Sequence, residues 1–375
     1  MKQIALFLSN EIYFDETKKE GGVRLCTQEY RSLIQELFEV VDFPVRYHLN
    51  LWYRIKVKLA ANAYNDYLPE TYRTALKEVI SKHKIKYVFI NLSNAAVFAP
   101  VIKQLFGKEV KVIICSHGNE SGDFLHEVTR HRHGVPFHQE LLSSVTLGKM
   151  LKKEAILRQE YIDAVLTVSP VEEEIENWIG AKKVMMVPRT IKKEFLDLHP
   201  VPARFGFMGD LSHRPNFFGI DEVCKAIAGL SHDTIDIRLV GAPQSAGEQL
   251  AANYPFVTYL GYLDREELLH EVAGWSYFLN PVFYYSRGVS TKLAKAWSWG
   301  LPVITTTIGC RGYQWLNGNP VFANTAIEMA KAMINYSTTT AQINESAKQT
   351  QLIVESAPSI KKISGDLGHL LQSLS

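Results

Sequence analysis

Cysteine is scarce in this 375-residue chain, and the four that occur, Cys26, Cys115, Cys224 and Cys310, stand far apart. No two have the spacing of a zinc site or a disulfide framework, and three lie in or beside apolar segments, as buried thiols do. That usage fits a reducing compartment, and a cytoplasmic location is expected. Neither sign of charge dominates: a formal net charge of +2 gives no signal for a nucleic-acid partner. No apolar run is long enough to span a bilayer, and the opening MKQIALFLSNEIYF lacks the small-residue cleavage pattern of a signal peptide. Internal repeats and low-complexity tracts are missing, which removes repeat architectures. The spaced three-glycine dinucleotide fingerprint is missing too.

What is present is an ordinary globular composition in a chain longer than one core usually supports, so two domains are expected. Strands and helices alternate in two series. The first contains Ile4–Leu8, a polar loop ending in Gly21-Gly22, a helix over about Val23–Phe38, and buried strands at Lys86–Leu92, Val110–Ser116, Asp163–Ser169 and Lys183–Pro188. The stretch RTIKKEFLDLHPVPA, with Pro200 and Pro202, reads as a linker. The second series is RFGFMG, a helix, IDIRLVG, FVTYLGYL, a helix, SYFLNPVF, and then a helix and strand inside SRGVSTKLAKAWSWGLPVITT. Strands separated by helices predict parallel sheets. The expected organisation is α/β: Rossmann-like domains at 1–188 and 203–355, a linker at 189–202, and a helix at 356–375 that packs back on one of them.

The segment Ser286–Thr306 raises a local electrostatic question. Ser290 and Thr291 are candidate N-caps, and the helix that follows carries Lys292 and Lys295. The start of a helix exposes N–H donors and a positive dipole end, so bases there are unfavourable. A bound anion reverses that sign. The plain alternative is that both lysines reach into water.

In order and spacing, FGFMGDLSHRPNFFGIDEV, IRLVGAP, VTYLGYL and YFLNPVFYYSRGVSTKLAKAWSWGLPVITTTIGCRGY resemble the retaining GT-B glycosyltransferases of family 4, the group-1 glycosyltransferases. Gly21-Gly22 after the first strand, SHG after a buried strand, and DAVLTVS with VMMVP agree with it in the first half. The resemblance implies two Rossmann-like domains facing a central cleft and a nucleotide-diphosphate-sugar donor held mostly by the second. It also implies an acceptor against the first, a glycan or lipid-linked molecule in polysaccharide or glycoconjugate assembly. No metal and no further cofactor is expected, because cationic side chains and helix N-termini neutralise the leaving diphosphate. By position, Arg214 and Lys292 face the diphosphate, and His117 lies near the donor sugar. Gly21, Gly22, Gly209, Gly288, Ser290 and Thr291 line the donor.

The resemblance fails at one place. Where the family usually has two glutamates with seven residues between them, this chain has Arg287 and Lys295. A lysine offers donors only and cannot accept from ribose hydroxyls as a glutamate does. Three readings stay open. Lys295 adds charge beside phosphate, Arg287 pairs with an acidic group on the donor, or the site has decayed into a nucleotide-binding, glycan-binding or scaffold protein.

Two other features complete the expectations. SHGNESGDFLHEVTRHRHGVPFH holds five histidines, including His131 and His133, in no zinc-like spacing. It is read as an acceptor- and donor-facing loop in which Asn119, Glu120 and Asp123 meet acceptor or sugar groups, while one of Tyr284 and Tyr285, at a strand end, stacks on a sugar or base. The stretches Leu49–Ala60 and Lys149–Arg158 mix apolar and basic residues. They fit peripheral contact with anionic lipid at the inner face of a membrane, or ordinary amphipathic surface helices.

Overall fold

The computed structural model describes the chain except residues 1, 15–20, 52, 54, 56–63, 65, 130–135, 231–233, 337–338 and 375. It divides into two compact units. The first comprises residues 1–188, the loop Ser286–Val289 and Ser359–Ser375; the second comprises Arg189–Tyr285 and Ser290–Pro358.

The first unit is built on a six-stranded parallel sheet. Its strands are β1 (Gln3–Asn10), β2 (Phe38–Val45), β3 (Tyr87–Asn91), β4 (Lys111–Cys115), β5 (Ala164–Thr167) and β6 (Val184–Met186), in the order β2-β1-β3-β4-β5-β6. Strand side chains alternate between faces, so Leu6 and Leu8 enter one core while Ala5 and Phe7 enter the other. On the first face Leu6, Val88, Ile90, Val112 and Ile114 pack with Leu76 and Ile80 of the helix Arg73–His83 and Ile102 of the helix Ala99–Phe106. On the second, Phe7, Phe89 and Ile113 meet Tyr30, Leu33 and Ile34 of the helix Gly22–Leu37. Ile363, Leu367 and Leu371 of the final helix, Ile360–Gln372, complete that core.

The second unit repeats the plan with β7 (Arg204–Met208), β8 (Asp236–Val240), β9 (Val257–Gly261), β10 (Tyr277–Asn280), β11 (Val303–Thr305) and β12 (Val321–Phe322). Their order is β12-β11-β10-β7-β8-β9, again parallel. From β7 the chain first winds outward through β8 and β9, then returns to β10 on β7's other side. The reversal makes the carboxyl ends of β7 and β10 the topological switch point, where open parallel sheets bind ligands. Gly206 in β7 lets the Trp275 ring lie on the sheet: a Cβ there would be 1.9 Å from it.

Arg189–Val201 has no regular structure but is woven into the second unit rather than hanging as a linker. Glu194 N–H bonds to the Ser298 carbonyl at 2.9 Å and Leu196 N–H to that of Trp299 at 3.1 Å. Among the elements that the sequence reading missed is β2. The chain passes from Leu37 straight into β2 without a breaker, and Pro44 is tolerated because β2 is an edge strand.

Candidate active site

At the switch point of the second unit, the helix Thr291–Ser298 begins where β10 has ended. Leu293, Ala296 and Trp297 bury its inner face, as the apolar spacing predicts. Ser290 occupies the N-cap position, but its hydroxyl does not cap. Instead Oγ donates to Asn280 Oδ1 at 2.9 Å, while Asn280 Nδ2 donates to Thr305 Oγ1 at 2.9 Å. No acid stands in the helix's first turn, so its leading N–H groups have no side-chain counter-charge from the helix itself.

Lys292 runs back towards the end of β7, as helical side chains do. Its Nζ donates to Asn216 Oδ1 at 2.6 Å and lies 5.1 Å from the centre of the Phe207 ring. Gly209, with φ +152°, makes room for it: a Cβ there would come within 2.7 Å of Lys292 Cδ. Among the described residues no carboxylate is within ion-pair distance of this ammonium. Burial lowers its pKa to about 8, with Asp210 opposing the shift. Arg214, expected beside it, is the exposed first residue of the helix Arg214–Gly229, two positions before Asn216. Gly309 closes against the same amide network, since a Cβ there would be 2.6 Å from Asn280 Nδ2.

Two expectations for this unit need correction. Lys295, expected beside the phosphate, pairs with Glu194 at 2.9 Å and lies 5.2 Å over the Trp299 ring. Its counter-ion is a protein carboxylate, so no anion has to be invoked for it. Tyr285, expected to stack on a sugar, is 6% exposed with the Arg311 guanidinium 5.4 Å from its ring centre. One ring face is already covered.

In the first unit the ends of β1, β3 and β4 are tied through Asn91. Its Nδ2 donates to Ser9 Oγ and Thr27 Oγ1, both at 2.9 Å, so its Oδ1 must accept from His117 Nε2 at 2.7 Å. That bond places the imidazole hydrogen on Nε2 and fixes a ring that is only 6% exposed. Gly21 is the extended N-cap of the helix Gly22–Leu37, which has neither a side-chain cap nor an acid in its first turn. The loop before Gly21 lies outside the described residues, as do His131 and His133 and most of Leu49–Ala60.

The SHGNES segment is divided by the structure. Asn119, expected to meet an acceptor, is buried and accepts from Gly122 N–H at 2.6 Å, so it serves the start of the helix Glu120–Thr129. Ser121 donates through Oγ to Glu154 Oε2 at 2.6 Å, and the Tyr64 hydroxyl bonds the same fully buried carboxylate. Glu120 and Asp123 are drawn instead to Arg287, at 3.5 and 3.8 Å, and Asp123 Oδ1 also accepts from the Arg287 backbone N–H at 2.8 Å. The arginine assigned to the donor and the acids assigned to the acceptor therefore form one cluster. Burial raises the Glu120 carboxyl to about 7, against the pull of Arg287. Gly288 has a packing reason of its own: at φ +80°, it and Gly118 approach so closely that a Cβ on Gly118 would be 2.4 Å from Gly288 N.

Asn216, Asn280 and Glu154 were not anticipated. The first two carried a signal, a polar amide at a buried helix start and strand end. Glu154 carried none, since it follows two lysines. Among the described residues no three His, Cys, Asp or Glu side chains gather as metal ligands would.

Comparison with known proteins places this geometry. Residues 202–339 match the model of the family Glycosyl transferases group 1. Residues 202–339 are thus similar to the group 1 glycosyl transferases. Across the whole chain the fold is that of the GT-B glycosyltransferases. It superposes on sucrose-phosphate synthase from Thermosynechococcus elongatus with a TM-score of 0.65 at 17% identity, covering 100% of this chain and 99% of that one. Anabaena HepE, solved with UDP-glucose, gives 0.60 at 13% identity, with 99% of each chain covered. The lipopolysaccharide outer core galactosyltransferase WaaB gives 0.61 at 13% identity, also over 99% of each. No curated protein matches the chain in sequence.

Proposed function

We propose that this glycosyltransferase is a retaining, metal-independent enzyme that moves a sugar from a nucleotide-diphosphate donor to a glycan or lipid-linked acceptor in polysaccharide or glycoconjugate assembly. The observation that carries the reading is Lys292, a part-buried ammonium beside a helix start that has no acid, at the switch point of the sheet. A partly desolvated cation without a carboxylate is favoured further when an anion completes it. A diphosphate is the anion that fits both the lysine and the leading N–H groups.

In the reaction the bond from the anomeric carbon to the phosphate oxygen breaks and a bond to an acceptor oxygen forms on the same face. The acceptor's proton leaves with the diphosphate. Lys292 and Arg214 stabilise the charge that develops on the leaving group. His117, held by Asn91, presents a fixed imidazole to the sugar. Glu120 and Asp123 offer carboxylate oxygens to acceptor hydroxyls, and Arg287 holds those carboxylates. The four cysteines are buried and form no disulfide among the described residues, which supports a reducing, cytoplasmic location.

The test is thermal unfolding of wild type and Lys292→Met with UDP, GDP, ADP and CMP. A ligand that binds only the folded state raises the melting temperature by mass action. One nucleotide should stabilise the wild type and lose most of that effect in the variant. If none stabilises the wild type, the donor-site reading falls and a binding or scaffold role on the same fold takes its place.

A further inference from the structure

Lys292 is held in place by a carboxamide. Its Nζ donates to Asn216 Oδ1 at 2.6 Å, and Asn216 Nδ2 donates to the Asp210 carbonyl, also at 2.6 Å. Those two bonds settle the amide's orientation, because only its oxygen can accept from an ammonium. Asn216 is 6% exposed. The carbonyl it grips is itself fixed. Gly209 N–H bonds to the Val240 carbonyl at 2.9 Å and Leu211 N–H to that of Ala242 at 2.6 Å, so the loop after β7 is stitched to the loop after β8. The two loops lie so close that a Cβ on Gly241 would be 1.9 Å from the Gly209 carbonyl oxygen. Asn216 carries the position of this double loop over to the lysine.

Its neutrality is the informative point, because two forces favour a carboxylate at position 216. It is the third residue of the helix Arg214–Gly229, whose leading turn has a positive dipole end and no acid. It also meets an ammonium at hydrogen-bond distance, where an aspartate of the same shape would form an ion pair. Asp210, the charged group that opposes the loss of the Lys292 proton, is turned to Ser212 instead. Its Oδ1 accepts from the Ser212 N–H at 2.8 Å and from the Ser212 hydroxyl at 2.6 Å. Lys295, one turn further along its helix, is paired with Glu194. An amide at 216 therefore fixes the ammonium without cancelling it, and the charge stays available to an anion from outside the protein. We propose that Asn216 is the positioning residue of the donor site: it aims the Lys292 ammonium at the diphosphate and, being neutral, leaves that charge for it. The inference rests on the donor-site reading.

Calorimetric titration of full-length wild type, Asn216→Asp and Asn216→Ala with UDP, GDP and ADP, from about pH 7 to about pH 10, tests it. In wild type, affinity for the nucleotide that binds should fall above about pH 8, where Lys292 loses its proton. Asn216→Asp should weaken binding at about pH 7 roughly tenfold or more, since the new carboxylate takes the ammonium and faces the phosphate. It should also move the break in the profile upward, because a lysine beside a carboxylate keeps its proton to higher pH. Asn216→Ala removes the acceptor without adding charge. Its affinity should fall several-fold, with the break no higher than in wild type. A side chain that merely packs would give both variants the same loss and the same break, and that result overturns the proposal. Wild-type affinity in either variant overturns it as well, and Asn216→Ala decides alone if Asn216→Asp does not fold. If wild type binds none of the three nucleotides, the donor-site reading has failed and the proposal falls with it. Binding by wild type that Asn216→Asp leaves intact removes only the role of Asn216.

Discussion

Lys292 makes the pH dependence of the proposed donor site specific. Its pKa is lowered to about 8 in the folded protein, mainly by burial. A phosphate beside it favours the charged form and raises that pKa on binding. Binding therefore takes up a proton above about pH 8, and none through this group below it. Affinity for the stabilising nucleotide should be level below about pH 8 and fall up to tenfold per unit above. In the folding equilibrium the sign is opposite. Between about pH 8 and the usual lysine range the unfolded chain holds more protons, so this group's contribution to stability rises with pH. Replacing Lys292 by Met should weaken nucleotide binding by about 1.5–3 kcal/mol and flatten the profile, as calorimetry across pH would show. A wild-type profile unchanged through pH 9 would detach the lysine from the anion.

At this scale the sequence was informative where a residue broke a local rule. A base at a helix start pointed to Lys292. It pointed equally to Lys295, yet one turn of helix separates a part-buried ammonium at the end of β7 from a half-exposed one paired with Glu194. Spacing cannot distinguish these two cases, because the deciding carboxylate comes from a stretch about a hundred residues away.

Among the elements, β10 and the helix Thr291–Ser298 owe their junction to a single amide. Asn280 is fully buried and uses both ends, accepting from Ser290 Oγ and donating to Thr305 Oγ1. Asn280→Ala leaves two hydroxyls without their partner and opens space beside Gly309. Chemical denaturation should show a loss of about 1–3 kcal/mol. A variant as stable as wild type would mean that Ser290 and Thr305 find other partners. The strands were legible because β-branched and aromatic runs such as VFIN and VIT bury both faces. β2 was hidden by the direct passage from helix to edge strand. The helix Phe137–Ile156 was hidden more thoroughly. Its buried residue is Glu154, a charged group held by Ser121 and Tyr64, while Leu141 and Leu142 are exposed. A rule that assigns apolar residues to the core turns that helix around.

For the whole molecule, the chain's last helix belongs to its first unit. Ile363, Leu367 and Leu371 are at most 3% exposed and fill the face of the first sheet lined by Phe7, Tyr30 and Leu33. Burial of three aliphatic side chains contributes roughly 5–9 kcal/mol, comparable with the entire stability of many domains. Removing residues 359–375 should therefore unfold or loosen the first unit. The second unit closes its own cores around Phe205, Phe207, Trp275 and Trp297 without that helix. Hydrogen exchange on the truncated protein should find β1 and the helix Gly22–Leu37 deprotected while β7, β8 and β10 keep their protection. If exchange rises equally in both units, the two sheets share one cooperative unfolding step. If it rises in neither, the core around Phe7 closes without the helix and its burial there is dispensable. The first result would still leave Lys292 its nucleotide, since every residue that holds it lies in the second unit.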